Sequence, residues 1–212
     1  MSAPNKRTIV QLLALFLLLA ALPAGSWYYL KSGLDYHRKA MAELKDLGVM
    51  PMPQAILPAA GAALPADSLK NRLAITGFVS LSEEAALDQY GADLSKLHEQ
   101  FDERKDVIFV TYAEGDSSSM TAFVDKYQLL DETQCYFFVT DAQQIQQAKA
   151  AYHLPAENPG QWWIALTDTN LKLRRFYEAD KQAEVKRLVE HIALLAPRIK
   201  ERDLLYKRER EK

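Results

Sequence analysis

The strongest pattern in the chain is an uncharged apolar run from Thr8 to Leu30, in which only Gln11 and Ser26 are clearly polar beyond the leading threonine. At ~1.5 Å per residue, a helix over this run reaches across a hydrocarbon core of ~30 Å. Trp27, Tyr28 and Tyr29 fall where an interfacial aromatic belt belongs. A different pattern begins after residue 66, where short apolar runs alternate with stretches whose apolar residues recur every three or four positions. Leu73–Val79 is the first β-leaning run. Ser80 and Glu83 follow in the S-x-x-E relation of a capping box. Leu87, Tyr90, Leu94, Leu97 and Phe101 then give the next segment one apolar helical face. Asp106–Tyr112 and Cys135–Thr140 read as two further buried strands. Asp116 and Asp141 stand as N-caps of the helices after them, one carrying Met120, Phe123, Val124 and Tyr127, the other Ile145, Ala148 and Tyr152. Trp162–Thr167 and Leu171–Tyr177 flank Asp168-Thr169-Asn170 as a hairpin. A last helix, from about Asp180 to Ala196, buries Val185, Leu188, Val189, Ile192 and Leu195. Strands alternating with helices predict an α/β domain built on a mainly parallel sheet covered on both faces.

These patterns divide the chain into six parts. Residues 1–7, with Lys6 and Arg7, form a short cytoplasmic head, and residues 8–30 a transmembrane anchor. A cleaved signal peptide ending near Ala24-Gly25-Ser26 competes with the anchor; the long apolar core and the aromatics directly after it favour the anchor. Residues 31–47 continue as a juxtamembrane helix with Leu34, Met41, Leu44 and Leu47 on a thin apolar stripe. Residues 48–66 hold Pro51, Pro53, Pro58 and Pro65 among alanines, which predicts an extended, semi-rigid linker. The globular domain takes residues 67–197, and residues 198–212 form a charged helical tail around Ile199, Leu204, Leu205 and Tyr206. A retained cytoplasmic head places the domain across the membrane, in the periplasm if the protein is bacterial. Lys31, Arg38, Lys39 and Lys45 beyond the anchor weaken the charge bias behind that orientation.

Composition narrows the chemistry. The net charge of −2 gives no reason to expect nucleic acid as a partner. A single cysteine, Cys135, excludes an intrachain disulfide, a dithiol cycle and metal sites that need two cysteines. His37, His98, His153 and His191 are dispersed without ligand spacing, so no metal or other cofactor is expected. Cys135 opens an apolar strand with no basic neighbour in sequence, as a buried packing residue does. Glu83 and Glu84 could form an acid–base pair, yet the helix dipole alone, at ~0.3–1 kcal/mol each, explains carboxylates in a first turn. Asp116-Ser117-Ser118-Ser119 reads as a helix cap, since no base accompanies the hydroxyls. Trp162 and Trp163, adjacent on a strand, face opposite sides of the sheet. With Trp27, Tyr28, Tyr29 and Tyr206 they are the candidate anchors for a protein partner. Pro159, just before them, is a candidate cis-proline.

The element order βα-βα-βα-ββα, with a buried strand turning into an amphipathic helix at Ser80–Glu84, resembles the Sco/SenC family of membrane-anchored copper chaperones that serve cytochrome c oxidase assembly. Ala74–Ser80 resembles the strand leading into the family's C-x-x-x-C site. Phe109-Val110-Thr111-Tyr112 with Asp116 resembles the next strand and helix start. Cys135–Thr140 resembles the strand before the inserted helix, and Trp162–Asp168, ending Leu166-Thr167-Asp168, the strand after the family's metal-binding histidine. The resemblance implies a thioredoxin-like fold with one extra βα unit, behind a single N-terminal transmembrane helix. It also puts the two ligand cysteines near Ser82 and Ala86 and the histidine near Gly160, and none of these positions holds sulfur or imidazole. Copper(I) requires soft thiolate ligands, which Ser82, Glu83 and Glu84 do not replace. The expectation is a degenerate, non-catalytic Sco-like domain, serving as an accessory or assembly subunit of a respiratory membrane complex such as a haem–copper oxidase. The alternative is a periplasmic thiol-redox or copper-handling protein that uses Cys135 or a rearranged site.

Overall fold

The computed structural model describes residues 6–51, 58–60, 64, 69–155 and 162–197. The chain divides into two compact units, Met1–Glu43 and Leu44–Lys212. In the first, α1 (Lys6–Phe16) passes through a π-helical turn (Leu17–Ala21) into α2 (Leu22–Glu43). The π turn lies directly before Pro23, whose missing N–H and ring bulk disturb the carbonyl four residues earlier. Ile9–Glu43 is long enough to cross a membrane, and the mean hydropathy of its most apolar stretch is 2.2. The helix ends at Glu43, short of the expected Leu47, because the backbone after it takes another partner.

The second unit is built on a sheet in the order β1-β4-β3-β2-β5-β6. Along the chain its elements are β1 (Pro58–Ala60), β2 (Leu73–Ser80), α3 (Glu84–Phe101), β3 (Val107–Glu114), α4 (Ser117–Lys126), β4 (Cys135–Thr140), α5 (Ala142–Ala151), β5 (Trp163–Thr167), β6 (Leu173–Glu178) and α6 (Gln182–Leu195). The β2–β3 and β3–β4 pairs are parallel; β1–β4, β2–β5 and β5–β6 are antiparallel. The sheet is therefore mixed: the sequence suggested a mainly parallel sheet with one antiparallel strand from the closing hairpin, and β5 runs against β2 as well as against β6.

Side chains alternate faithfully across β2 and β3. Leu73, Ile75, Val79, Val107, Phe109 and Ala113 join one core with residues of α3, α4 and α6. Ala74, Phe78, Ile108, Val110 and Tyr112 join the other with Ile145 and Tyr152. Both faces are thus covered, and strands buried on both sides read as continuous apolar runs. Asp116 and Asp141 cap α4 and α5 as expected. Asp116 accepts from the amides of Ser118 and Ser119, and Asp141 from that of Gln144.

Two segments depart from the expected linker. Lys45, Leu47 and Met50 donate their amides to the carbonyls of Arg174, Leu173 and Leu171, and Leu173 donates to Gly48. This run closes the outer edge of β6, and Met50 is buried in the second core. At the opposite edge, Pro58–Ala60 pairs with β4. Parts of the proline-rich stretch are therefore edge strands, positions at which proline is tolerated. The tail 198–212 with Tyr206, most of the head, and the loop carrying Pro159 and Gly160 lie outside the described residues.

Candidate functional site

The turn between β2 and α3 lies at the carboxyl ends of the parallel strands, where α/β folds place their ligands. Ser80 remains in β2 opposite Glu114, and the Leu81 amide donates to the Glu114 carbonyl at 2.9 Å. Leu81 packs where Gly115, at φ +152°, leaves no side chain in its way. The capping box does not form. Ser80 Oγ instead meets Ser82 Oγ at 2.8 Å, and Glu83 precedes the helix without a side-chain cap bond. Held in the strand ladder, Ser80 is too far back to reach the first amides of α3.

Glu83 has a different partner. Its Oε2 accepts a hydrogen bond from Trp162 Nε1 at 3.3 Å, which joins the turn to the residue that leads into β5. Trp162 is only 7% exposed and belongs to the core over α3, with its ring 6.3 Å from that of Tyr90. It is therefore a core residue bonded to the turn, not a surface anchor. Trp163 is half-buried, and its indole N–H is shielded from solvent with no hydrogen-bond partner among the described residues. Trp27, Tyr28 and Tyr29 are exposed on α2.

Beneath this turn, Gly77 gives Tyr90 room to lie against the sheet. Tyr90 and Thr111 share a hydrogen bond of 2.8 Å between their hydroxyls. Burial holds the Tyr90 phenol neutral far into the alkaline range. The positions where the resemblance puts cysteines thus carry a solvent-exposed hydroxyl at Ser82 and a half-buried methyl at Ala86.

Cys135 is elsewhere. In register it sits beside Phe109, which sits beside Ile75, five residues before Ser80. At ~3.3 Å per residue that is about 16 Å back along the strands from the turn, with the spacing of two strand pairs sideways in addition. Cys135 is 1% exposed, and burial, with Asp131 adding to it, pushes its thiol up to about 12. No thiolate forms there at neutral pH. Among the described residues, no three of His, Cys, Asp and Glu come together as a metal-binding group. The donors near the turn are hydroxyls and carboxylates, Glu83 among them engaged by Trp162, so they do not suit copper(I).

No family model matches this sequence, and no curated protein matches it. Solved structures do. A SCO1/SenC family lipoprotein from Bacillus anthracis superposes with a TM-score of 0.59 at 17% identity, over 72% of this chain and 98% of the other. BsSco, a member of the Sco family of cytochrome c oxidase assembly proteins, gives 0.56 at 16%, over 72% and 97%. A thiol:disulfide interchange protein of the thioredoxin family from Chlorobium tepidum gives 0.53 at 13%, over 72% and 100%. At these identities the likeness establishes the shape and not the activity. The chain carries a thioredoxin-like fold, similar in shape to these Sco structures, together with an N-terminal helix long and apolar enough to cross a membrane.

Proposed function

We propose that this chain is a degenerate member of the Sco/SenC family that has kept the fold and given up its chemistry. It is a single-pass protein of a bacterial inner membrane, with residues 8–30 as the anchor and the thioredoxin-like domain in the periplasm. It works without catalysis, as an accessory or assembly subunit of a respiratory membrane complex, most plainly one built around a haem–copper oxidase. The supporting observation is the turn itself. Hydroxyl and methyl groups occupy Ser82 and Ala86, and the Trp162–Glu83 hydrogen bond spans the place where a redox or metal site would open. A domain retained without a reactive centre contributes surfaces; those proposed are Trp27, Tyr28 and Tyr29 on α2, Trp163 at the sheet, and the tail with Tyr206. The thiol alternative finds no support at Cys135, whose sulfur is sealed in the core.

The test is purification of the full chain in mild detergent through a C-terminal tag, with quantitative mass spectrometry. Stoichiometric recovery of haem–copper oxidase subunits is the expected result. Elution of the protein alone at every detergent strength removes the subunit reading.

A further inference from the structure

One charged group on the face of α3 is used by nothing described so far. Asp93 is 6% exposed, at the middle of the helix. Its carboxylate accepts from Gln89 Nε2 at 2.6 Å and, more distantly, from Gln182 Nε2 at 3.4 and 3.5 Å. Both partners are neutral amides. The cation within 4 Å among the described residues is Lys96, at 3.7 Å with its side chain 73% exposed. A carboxylate taken out of water with only neutral or solvated partners lacks the counter-charge that a buried ion normally has.

Asp93 also faces space. A cavity of about 10 Å³ lies between α3 and α6, lined by Asp93, Tyr90, Leu94, Ile164 and Val185 among others. A cleft of about 40 Å³ adjoins it, sharing Tyr90 and Ala179 and lined further by Ala86, Gln89, Trp162 and Asp180. The inner cavity takes one water-sized group. An ammonium is of that size, whereas a planar guanidinium is not. The outer cleft offers two aromatic side chains and the methyls of Ala86 and Ala179 to an aliphatic stem, and Asp180 on its rim adds negative charge. Aromatic faces attract a cation that passes them.

We infer that this two-chamber groove is a binding site for an alkylammonium group, its nitrogen at Asp93 and its methylene stem in the outer cleft along Tyr90, Ala86 and Trp162. A lysine side chain and a free primary amine share this chemistry. The site stands apart from the question of which complex the chain joins, since it follows from Asp93 and the cavities alone.

The full chain in detergent, isotopically labelled at tryptophan, is titrated with n-butylammonium, with Nα-acetyl-lysine methylamide, and with n-butanol as the neutral control. The indole N–H resonance of Trp162 reports occupancy. Saturable shifts with n-butylammonium and not with n-butanol are expected. Asp93→Asn, which can still accept from Gln89 and Gln182, should weaken binding at least about tenfold, as loss of one partner of a buried charge pair does. Ala86→Leu, which fills the outer cleft without touching Asp93, should abolish it. Saturation by the lysine derivative as well identifies a side chain as the source; saturation by the free amine alone identifies a small molecule. Three results overturn the inference: no saturable shift, equal response to n-butanol (an ordinary buried water then occupies the inner cavity), or full affinity in Asp93→Asn.

Discussion

At the scale of single residues, the reach of a side chain decides which partner it finds: the carboxylates of Asp116 and Asp141 bond amides in their own first helical turn, whereas Glu83 bonds an indole from another element. Asp116 and Asp141 were readable as caps because a cap needs only the amides two and three residues on. Ser80–Glu83 carries the same kind of motif and fails, because the strand ladder with Glu114 claims Ser80 first. The Trp162–Glu83 bond joins residues 79 positions apart, and no local pattern announces it. It supports two predictions of different size. Trp162→Ala removes a buried ring and should cost about 3–5 kcal/mol in urea unfolding. Glu83→Ala removes one hydrogen bond from an exposed acceptor and should cost about 1 kcal/mol; equal costs would mean that the bond, and not the ring, holds the turn. The burial of Cys135 predicts that a thiol reagent at pH 8 labels the native protein only at the rate of unfolding, and labels it at once in denaturant. Asp131 gives a pH dependence. Burial pushes its carboxyl up, but hydrogen bonds from His98 and Thr133 and the amides of Thr133 and Gln134 outweigh this and lower it to about 2. A carboxyl below its unfolded value near 3.9 stabilises the native state above that pH and loses the contribution as pH falls towards 2. Asp131→Asn should therefore flatten the loss of stability between about pH 4 and pH 2, measured as urea midpoints.

At the scale of elements, the strands and helices inside the domain were legible because each had a period of its own. The edges were not. Pro58–Ala60 holds no branched residue and Lys45–Met50 only Val49, too little for a strand signal; both are ordered by the open edges of β6 and β4, which the residues themselves do not encode. The turn of β5 against β2 was missed for a similar reason, since direction is set by the connection and not by the strand. The packing of α3 on β2 depends on one position. At Gly77 a Cβ would fall onto the hydroxyl of Tyr90 and within 2.7 and 2.8 Å of two of its ring carbons. Gly77→Ala should thus cost about 1–3 kcal/mol through forced displacement of the ring. Tyr90→Phe removes the hydroxyl and leaves those ring carbons in place, so the double variant should recover only part of the loss. A fully additive double-mutant cycle would show that the two positions are not in contact.

At the scale of the whole molecule, a shape shared with SCO1/SenC structures at 17% identity coexists with a turn that holds no sulfur, and a shared fold does not bring a shared site with it. That separation has a constructive consequence. If Ser82 and Ala86 correspond to the cysteines of the proposed family, and Gly160 to its histidine, the scaffold should accept those ligands when they are introduced. Ser82 is exposed in the turn and Ala86 lies in the first turn of α3, so two thiols there would sit beside the positive end of the helix, where thiolates are favoured. The full chain carrying Ser82→Cys, Ala86→Cys and Gly160→His should therefore compete with a bicinchoninate-type chelator for one equivalent of copper(I). The natural sequence should leave the chelator's colour unchanged, because its nearest donors are hard oxygens. Unchanged thermal melting and tryptophan emission in the variant would establish that the comparison is made on the same fold. A folded triple variant that takes no copper would show that these positions are not the equivalents assigned to them. One-to-one uptake by the natural sequence, persisting after Cys135→Ser, would show that another group of residues has taken over the site.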